Sequence, residues 1–318
     1  MIRSVRRTKL RSACCLLPTA HCPLPTAVCL LLSASCLVAF LLPVRVASAQ
    51  RRTRSGSHPR GVAPEILSTE DQELIDQAIK VVCAERRVDS LGSVPIDDMQ
   101  RRPSLSLHAP EVVRGAERAQ RLLPNARTLA IAALRQLSHF YKVDRFNSHN
   151  LQMRRAVLRI QAVARVKPDI DARDNASVYL KNPRTITFGT IFLAGLPSDE
   201  GMISILAHEL IHIGDGNSDS LRPLFRAVGE RASHLTGLDV REQRAEELAC
   251  DLVGALAVQS FIAASPSYDP LPRRLARSVE HNCVDEDGSD EEHLSPRDTL
   301  RAVLTLDRAL RRALVYKR

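Results

Sequence analysis

The sequence predicts an α+β fold that is mostly helical, with a small sheet and a helix that carries functional side chains. Three observations support this prediction. Apolar residues recur with a helical period over most of residues 68–166, and two short stretches rich in β-branched residues lie within 177–193. Two further apolar helical segments follow, so the strands are few and are confined to the middle of the chain.

Residues 1–49 have the pattern of a secretory signal peptide. A basic stretch from Arg3 to Arg11 precedes an apolar run from Ala27 to Val46, which ends at Ala47-Ser48-Ala49. A retained membrane anchor is the alternative, but Pro43 and two serines interrupt the run, which favours cleavage after Ala49. We therefore expect an exported, periplasmic or extracellular protein.

The net charge of +9 is concentrated at the N-terminus. The first acidic residue is Glu65, ten Lys or Arg residues precede it, and residues 65–318 hold 35 basic and 36 acidic residues. Residues 50–64, rich in Arg, Ser, Gly and Pro, are predicted to be a flexible linker. With a nearly neutral body and no Trp, we do not expect a nucleic-acid partner.

Three cysteines remain once the signal peptide is removed. Five of the eight lie in the leader, which leaves Cys83, Cys250 and Cys283. Because export permits disulfides, we expect Cys83 to pair with Cys283; three unpaired thiols are the alternative.

Residues 65–176 are predicted to form a helical N-terminal region. Pro124 and Pro168 mark breaks between helices, and Ser68 with Asp71 resembles a capping box. The predicted helices are Ser68–Arg87, Pro110–Leu123, Asn125–Val143 and Ser148–Val166.

Residues 177–318 form the second region. Ser198 is the predicted cap of a helix that ends at Ile213, before a Gly-rich stop. The other predicted elements are the strands Ser177–Leu180 and Arg184–Leu193, a helix Arg241–Ala263, and a last helix from Pro296 to about Val315.

The residues that carry chemistry are His208-Glu209-Leu210-Ile211-His212. On a helix, histidines four residues apart lie roughly 40° apart on one face, with Glu209 about 100° from His208. The opposite arc is apolar, so the helix can bury one side and present two imidazoles and a carboxylate on the other. Two imidazoles with an open position suit Zn²⁺, and a neighbouring carboxylate suits a general base.

A third ligand is expected on the next helix. Glu247 and Asp251 are four residues apart and share a face, which suits a carboxylate ligand followed by a carboxylate that orients an imidazole. Glu246 is the competing candidate, but its partner one turn later is Cys250, which we interpret as a small core residue. Ser218 stands where a metzincin would place its third ligand, so that class is disfavoured.

The segment from Arg184 to Arg301 resembles the gluzincin metallopeptidases that include the CAAX prenyl protease and the HtpX-like heat-shock membrane proteases. The similarity lies in "ILAHELIHI" and "EELACDLVGA". It implies one Zn²⁺ per chain, with His208, His212 and Glu247 as ligands, Glu209 as the catalytic base and Asp251 in support. It also implies a zincin-like fold whose small antiparallel sheet holds a protein or peptide substrate at an edge strand, along Thr185–Leu193.

Two departures from the family pattern stand out. Cys250 replaces the usual Ala, and Ser295 replaces the His of a late signature in which Arg301 matches the family's Arg. By the resemblance, Arg301 would help to stabilise the oxyanion. Either His281 or His293 could take the place of the missing His, although a solvated surface histidine is the more ordinary interpretation of both.

The sequence thus predicts an exported zinc endopeptidase with no membrane span in the mature chain. A non-catalytic zinc-binding chaperone or binding protein with the same fold is the alternative, and the altered late signature is what favours it. The acidic run Asp285–Glu292 lacks the spacing of an EF-hand, so we interpret it as a solvated loop.

Overall fold

The structure is a computed structural model that describes residues 67–89, 103–179, 181–195, 198–216, 220–283 and 289–316. The predicted signal peptide and linker lie outside these residues. The segment Gly61–Arg318 forms one compact unit. Because helices from both predicted regions share its core, the change at Ser177 is a change of element type and not a break in packing.

The described residues contain ten α-helices, three strands and two short 3-10 helices at Val143–Arg145 and Glu280–Asn282. The helices are α1 Thr69–Asp89, α2 Pro110–Phe140, α3 Asn147–Ala162, α4 Thr190–Gly195, α5 Asp199–Asp215, α6 Arg222–Thr236, α7 Gln243–Ala264, α8 Leu271–Ala276, α9 Pro296–Leu306 and α10 Arg308–Tyr316. The strands are β1 Arg165–Asp169, β2 Ala176–Val178 and β3 Thr185–Gly189. The prediction of a mostly helical α+β fold is confirmed.

The sheet is mixed, so the expected antiparallel sheet is wrong. Its order is β1-β3-β2; β3 pairs in parallel with β1, from Arg165↔Thr185 onward, and antiparallel with β2, where Ser177 opposes Thr187. Strands β1 and β3 are parallel because the chain between them returns to the starting end of β1 before it enters β3. No local sequence pattern indicates this connection. The expected strand Arg184–Leu193 also ends early, because Thr190 begins α4.

Strand β1 was not predicted, because Pro168 was interpreted as a helix break. In the structure Pro168 lies inside β1 opposite Phe188. Proline lacks a backbone donor and is therefore tolerated on an edge strand such as β1. The helix that was expected to reach Val166 ends at Ala162 instead.

Helix α2 runs through Pro124, where the sequence predicts a break. An interior proline costs a helix about 3 kcal/mol. Both halves of α2 pack against the same core through Leu122, Leu123 and Ala126 on either side of the proline. Tertiary burial therefore offsets the local cost.

The centre of the molecule is the crossing of α5 and α7, which α2 and α3 cover from behind. Gly254 of α7 lies directly on α5: a Cβ there would be 2.8 Å from Oγ and 2.9 Å from the carbonyl oxygen of Ser204. Only glycine permits this approach, which brings the polar faces of the two helices together.

The last predicted helix is two helices, because the chain breaks at Asp307. Its carboxylate accepts hydrogen bonds from the backbone N–H of Leu310 at 2.9 Å and from the side chain of Gln259 at 2.7 Å. Asp307 therefore caps α10 and ties it to α7.

Helix α1 begins at a local cap and is tied to the rest of the unit by a disulfide. Ser68 accepts a hydrogen bond from the backbone N–H of Asp71 at 3.1 Å, as the capping prediction requires. Cys83 forms a disulfide with Cys283, whereas Cys250 is free and buried. The predicted cysteine pairing is confirmed.

Candidate metal centre

Helix α5 presents the two histidines at the molecule's surface. Ser198 caps it by accepting a hydrogen bond from the backbone N–H of Gly201 at 3.1 Å, and Gly216, with φ 60°, ends it. Leu206 and Leu210 are fully buried, whereas the side chains of His208 and His212 keep about one sixth of their surface exposed. The predicted helix is confirmed, but Glu209, which was expected on the open face with the imidazoles, is buried.

Helix α7 supplies three carboxylates to the same place. Glu246, Glu247 and Asp251 face α5 because the close crossing at Gly254 sets the two helices against each other. Their side chains are 29, 19 and 11% exposed, so the site opens to solvent on the Glu246 side.

The Nε2 atoms of both histidines converge with the carboxylate of Glu247. His208 Nε2 lies 3.1 Å from His212 Nε2. Glu247 places Oε2 3.3 Å from His208 Nε2 and Oε1 3.5 Å from His212 Nε2. The two nitrogens and the Glu247 carboxylate group, which faces each nitrogen with a different oxygen, form a triangle of groups.

The other ring nitrogen of each histidine is bound by a separate carboxylate. His208 Nδ1 lies 2.8 Å from Oδ1 of Asp251, and His212 Nδ1 lies 2.8 Å from Oε1 of Glu246. A neutral imidazole that donates from Nδ1 has its lone pair on Nε2. Both lone pairs therefore point at Glu247, and the triangle contains acceptors without a donor.

A cluster of acceptors without a donor is stable only with positive charge near it. Burial lowers the pKa of His208, but its hydrogen bonds with Asp251 and Glu247 outweigh burial and raise that pKa well above its usual value. Burial likewise lowers the pKa of His212, and contacts with Cys250, Glu246 and Glu247 raise it overall. The surroundings thus favour a cation between the rings.

The pKa values of Glu247 and Asp251 shift in the opposite direction. Burial raises the pKa of Glu247, but the two imidazoles outweigh it and hold that pKa well below its usual range. For Asp251, hydrogen bonds with His208 and His281 overcome burial and lower the pKa to about 2. Both acids are therefore carboxylates at neutral pH.

Glu209 behaves differently from these acids. It is 7% exposed, and burial raises its pKa despite the nearby histidines. A buried carboxyl group with a raised pKa, beside two imidazoles, is suited to accept and release a proton.

Two residues compete to complete a metal site with the histidines. His208, His212 and Cys250 could hold a metal ion, since one ligand atom from each lies within 4.8 Å of the others. However, Sγ of Cys250 approaches His212 at Nδ1, at 3.9 Å, which is the nitrogen that Glu246 binds. Glu247 faces the Nε2 atoms, where both lone pairs are available, and is the better match.

Glu246 contacts a histidine of the candidate site, which the sequence interpretation did not expect. It was judged by its partner one turn later on its own helix, but its contact is His212 on α5. Two adjacent acids on one helix diverge by about 100°, enough to serve two atoms of a neighbouring ring. The sequence signal was the pair of adjacent acids, Glu246 and Glu247. Which groups these acids contact depends on how α7 crosses α5.

Ser295 and Arg301 of the late signature are not among the described contacts of His208 and His212. Ser295 caps α9 by accepting from the backbone N–H of Asp298 at 3.2 Å, and Arg301 forms a salt bridge of 2.8 Å with Asp76 of α1. The catalytic role of Arg301 therefore stays a prediction.

The fold gives different surroundings to His281 and His293, the two candidates to replace the missing His of the late signature. His281 Nε2 lies 3.8 Å from Oδ1 of Asp251, whereas His293 contacts Asp290 within its own exposed loop. The acidic run around that loop lies partly outside the described residues, and Asp290 in it accepts hydrogen bonds from the backbone N–H groups of Glu292 and His293.

The expected substrate strand cannot accept a peptide. Strand β3, Thr185–Gly189, pairs with β1 on one side and β2 on the other, so its backbone groups are already used. The prediction that an extended substrate lies along Thr185–Leu193 is wrong for this reason. The free edges of the sheet belong to β1 and β2, and β2 also contacts α5.

Among the described residues, α7 alone has the length and apolarity of a membrane-spanning helix. It also carries Glu246, Glu247 and Asp251, and it packs against α5, α2, α6 and α9. Burial in the protein core accounts for its apolar composition.

No protein-family model, curated protein or solved structure matches the chain.

Proposed function

We propose that the protein is a zinc-dependent endopeptidase in which His208, His212 and Glu247 hold the metal. The observation that carries this proposal is the meeting of three groups: the two Nε2 atoms are 3.1 Å apart, and each lies 3.3 or 3.5 Å from a different oxygen of the Glu247 carboxylate. Donors at Zn–ligand distances of about 2.0–2.1 Å in a tetrahedron lie about 3.3 Å from one another. The three donors fit a single zinc ion and leave its fourth position open.

The surrounding carboxylates support this assignment. A zinc-binding imidazole normally donates its other N–H to a carboxylate, which fixes the tautomer and strengthens the ligand. Asp251 and Glu246 bind the Nδ1 atoms of His208 and His212, both at 2.8 Å. Calcium and magnesium prefer oxygen ligands, so the two imidazoles favour zinc over either.

When bound, Zn²⁺ supplies Lewis-acid chemistry: it polarises a carbonyl and lowers the pKa of water. Glu209 accepts the proton of the attacking water and returns it to the leaving amine nitrogen. Asp251 and Glu246 keep the imidazoles oriented throughout. The raised pKa of Glu209 brings its carboxyl nearer to the working pH of such a proton shuttle.

The resemblance to the gluzincin peptidases supports the same ligand set, and export after Ala49 remains part of the proposal. A zinc-binding protein without turnover is the second candidate. It is favoured by Ser295 and Arg301, whose described hydrogen bonds are with Asp298 and Asp76 and not with the histidines.

The test uses the compact unit Gly61–Arg318, as wild type and as Glu209→Gln, with zinc content and cleavage of an unfolded protein measured for each. We expect near-stoichiometric zinc in both and a loss of cleavage of at least about hundredfold in the variant, because a positioned general base contributes on that order. Glu230→Gln, on the exposed side of α6, is the matched control and should cleave normally. Zinc without cleavage in the wild type would favour the binding protein, and absence of zinc would refute both.

A further inference from the structure

Helix α3 has an outer face that is apolar at its centre. Leu151 and Leu158 are 53 and 66% exposed, and seven residues of helix place them about 20° apart, in the middle of the solvent-facing arc. Phe146, just before the helix, is 63% exposed. We name Phe146, Leu151, Arg154, Arg155 and Leu158 the α3 outer face.

This face is also strongly basic. Arg154 and Arg155 flank the two leucines and are exposed. From Ile131 to Val166 the chain has seven Lys or Arg residues and one acid, Asp144. Residues 65–318 together carry a net charge of −1, so this segment, of which Arg154 and Arg155 lie on the α3 outer face, is basic and the remainder of the body is acidic.

A cavity opens beside the same face. It has a volume of about 600 Å³, lies between α2 and α3, and shares Arg154 and Leu158 with the α3 outer face. Arg135 is also in its wall. The wall includes His149, 2% exposed, whose Nδ1 has no hydrogen-bond partner among the described residues.

The chemistry of this cavity suits an anion. His149 Nε2 lies 3.4 Å from Oγ of Ser138. When Ser138 donates to Nε2, the imidazole carries its hydrogen on Nδ1, which is buried, so the charge at the opening comes from the groups around it. Arg135 and Arg154 supply two positive charges at the same opening, and Asp144 in the wall supplies one negative charge, so the balance is positive.

We propose that the α3 outer face docks on an anionic phospholipid bilayer, with its apolar side chains in the interface and a headgroup phosphate at the cavity. Exposed leucines and phenylalanine flanked by arginines are typical of helices that lie on anionic membranes. A second copy of the chain fits less well, because two such faces would bring arginines against arginines.

Docking would place α3 between the bilayer and α5. The inner side of α3 packs on α5, and Arg159 donates hydrogen bonds to the carbonyl oxygens of Gly214 and Asp215 at the end of α5. The α3 outer face is therefore one helix away from the helix that carries His208 and His212. This inference does not depend on the proposed peptidase activity.

The experiment measures flotation of the Gly61–Arg318 unit with vesicles of phosphatidylcholine alone or with one third phosphatidylglycerol. We expect binding to the anionic vesicles only, weakened by salt. Leu151→Ser with Leu158→Ser, and Arg154→Glu with Arg155→Glu, should each reduce partitioning at least about tenfold.

The control for the arginine pair is Arg226→Glu with Arg297→Glu, which makes the same charge change at exposed positions on α6 and α9. Tyr268→Ser, at a fully exposed aromatic, is the control for the leucine pair. Both controls should float like the wild type, and circular dichroism should show that every variant folds.

Equal binding to both vesicle types, no binding, or unchanged partitioning of the two test variants would overturn the proposal. A concentration-dependent dimer that the leucine variant abolishes, without vesicle binding, would also overturn it and assign the face to a second copy. Zinc content and cleavage do not enter this assay, so its failure is distinguishable from failure of the proposed function.

Discussion

At the scale of single residues, the site depends on which nitrogen of each histidine faces which acid. Glu247 faces both Nε2 atoms, whereas Asp251 and Glu246 each take one Nδ1. Three acids that look alike in sequence therefore have two kinds of role. The distinction can be measured through zinc affinity.

Removing either kind of acid should weaken zinc binding to a different extent. Glu246→Gln keeps a hydrogen-bond acceptor but loses the charge, so we expect affinity to fall about 10–100-fold. Glu247→Ala removes a ligand and should cost more than Glu246→Gln. Competition titration with a chromophoric chelator measures both.

Cys250→Ala separates the two candidate third ligands in the same titration. If Glu247 is the ligand, Cys250→Ala binds zinc nearly as the wild type does, because the thiol lies on the Nδ1 side of His212. A loss of zinc in Cys250→Ala with retention in Glu247→Ala would contradict the assignment.

At the scale of the elements, the site exists because α5 and α7 approach closely. Neither helix holds a complete site: α5 has both imidazoles and Glu209, and α7 has the acids. Gly254 against Ser204 sets their separation, and Oγ of Ser204 also donates to the carbonyl oxygen of Ser278 at 2.7 Å. A change at this crossing should affect both stability and metal affinity.

Gly254→Ala should push the two helices apart. Overpacking a core costs about 1–3 kcal/mol, against a helix-propensity gain of about 1 kcal/mol, so we expect a small net loss of stability with weaker zinc binding. Urea unfolding of the metal-free protein and zinc titration measure the two effects.

Gly237→Ala, where φ is 75° and no atom is within 4 Å, should lose stability through backbone strain alone. If Gly254→Ala kept wild-type zinc affinity, as Gly237→Ala should, the crossing would not position the ligands.

At the scale of the whole molecule, a disulfide joins two distant parts of the chain. Cys83 of α1 and Cys283 are separated by 200 residues, and the 3-10 helix just before Cys283 carries His281 beside Asp251. The bond therefore ties α1 to a segment next to the metal centre. Its main energetic effect is to restrict the unfolded chain.

Replacing both cysteines, as Cys83→Ser with Cys283→Ser, should lower the free energy of unfolding by about 2–5 kcal/mol. Urea denaturation with and without a reductant measures this. The reductant should bring the wild type close to the variant and leave the variant unchanged, which serves as the internal control. The unreduced, denatured Gly61–Arg318 unit should titrate one thiol; three thiols would contradict the bond.

Local patterns predicted much of the fold because their causes are local. The cap at Ser198, the two faces of α5 and its glycine stop are all decided within a few residues of helix. The same holds for the capping box of Ser68 and Asp71. The cysteine pair was predictable because only three cysteines lie outside the predicted signal peptide.

The sequence by itself determined the helical character of the chain, the helix that carries His208, Glu209 and His212, and the helix that carries the carboxylates. Only the tertiary structure decided that Glu246 binds His212, that β3 is the central strand of a mixed sheet, and that α2 continues through Pro124. These features depend on contacts between residues far apart in the chain. Spacing along one helix records which residues share a face, but not which groups on other elements that face will meet.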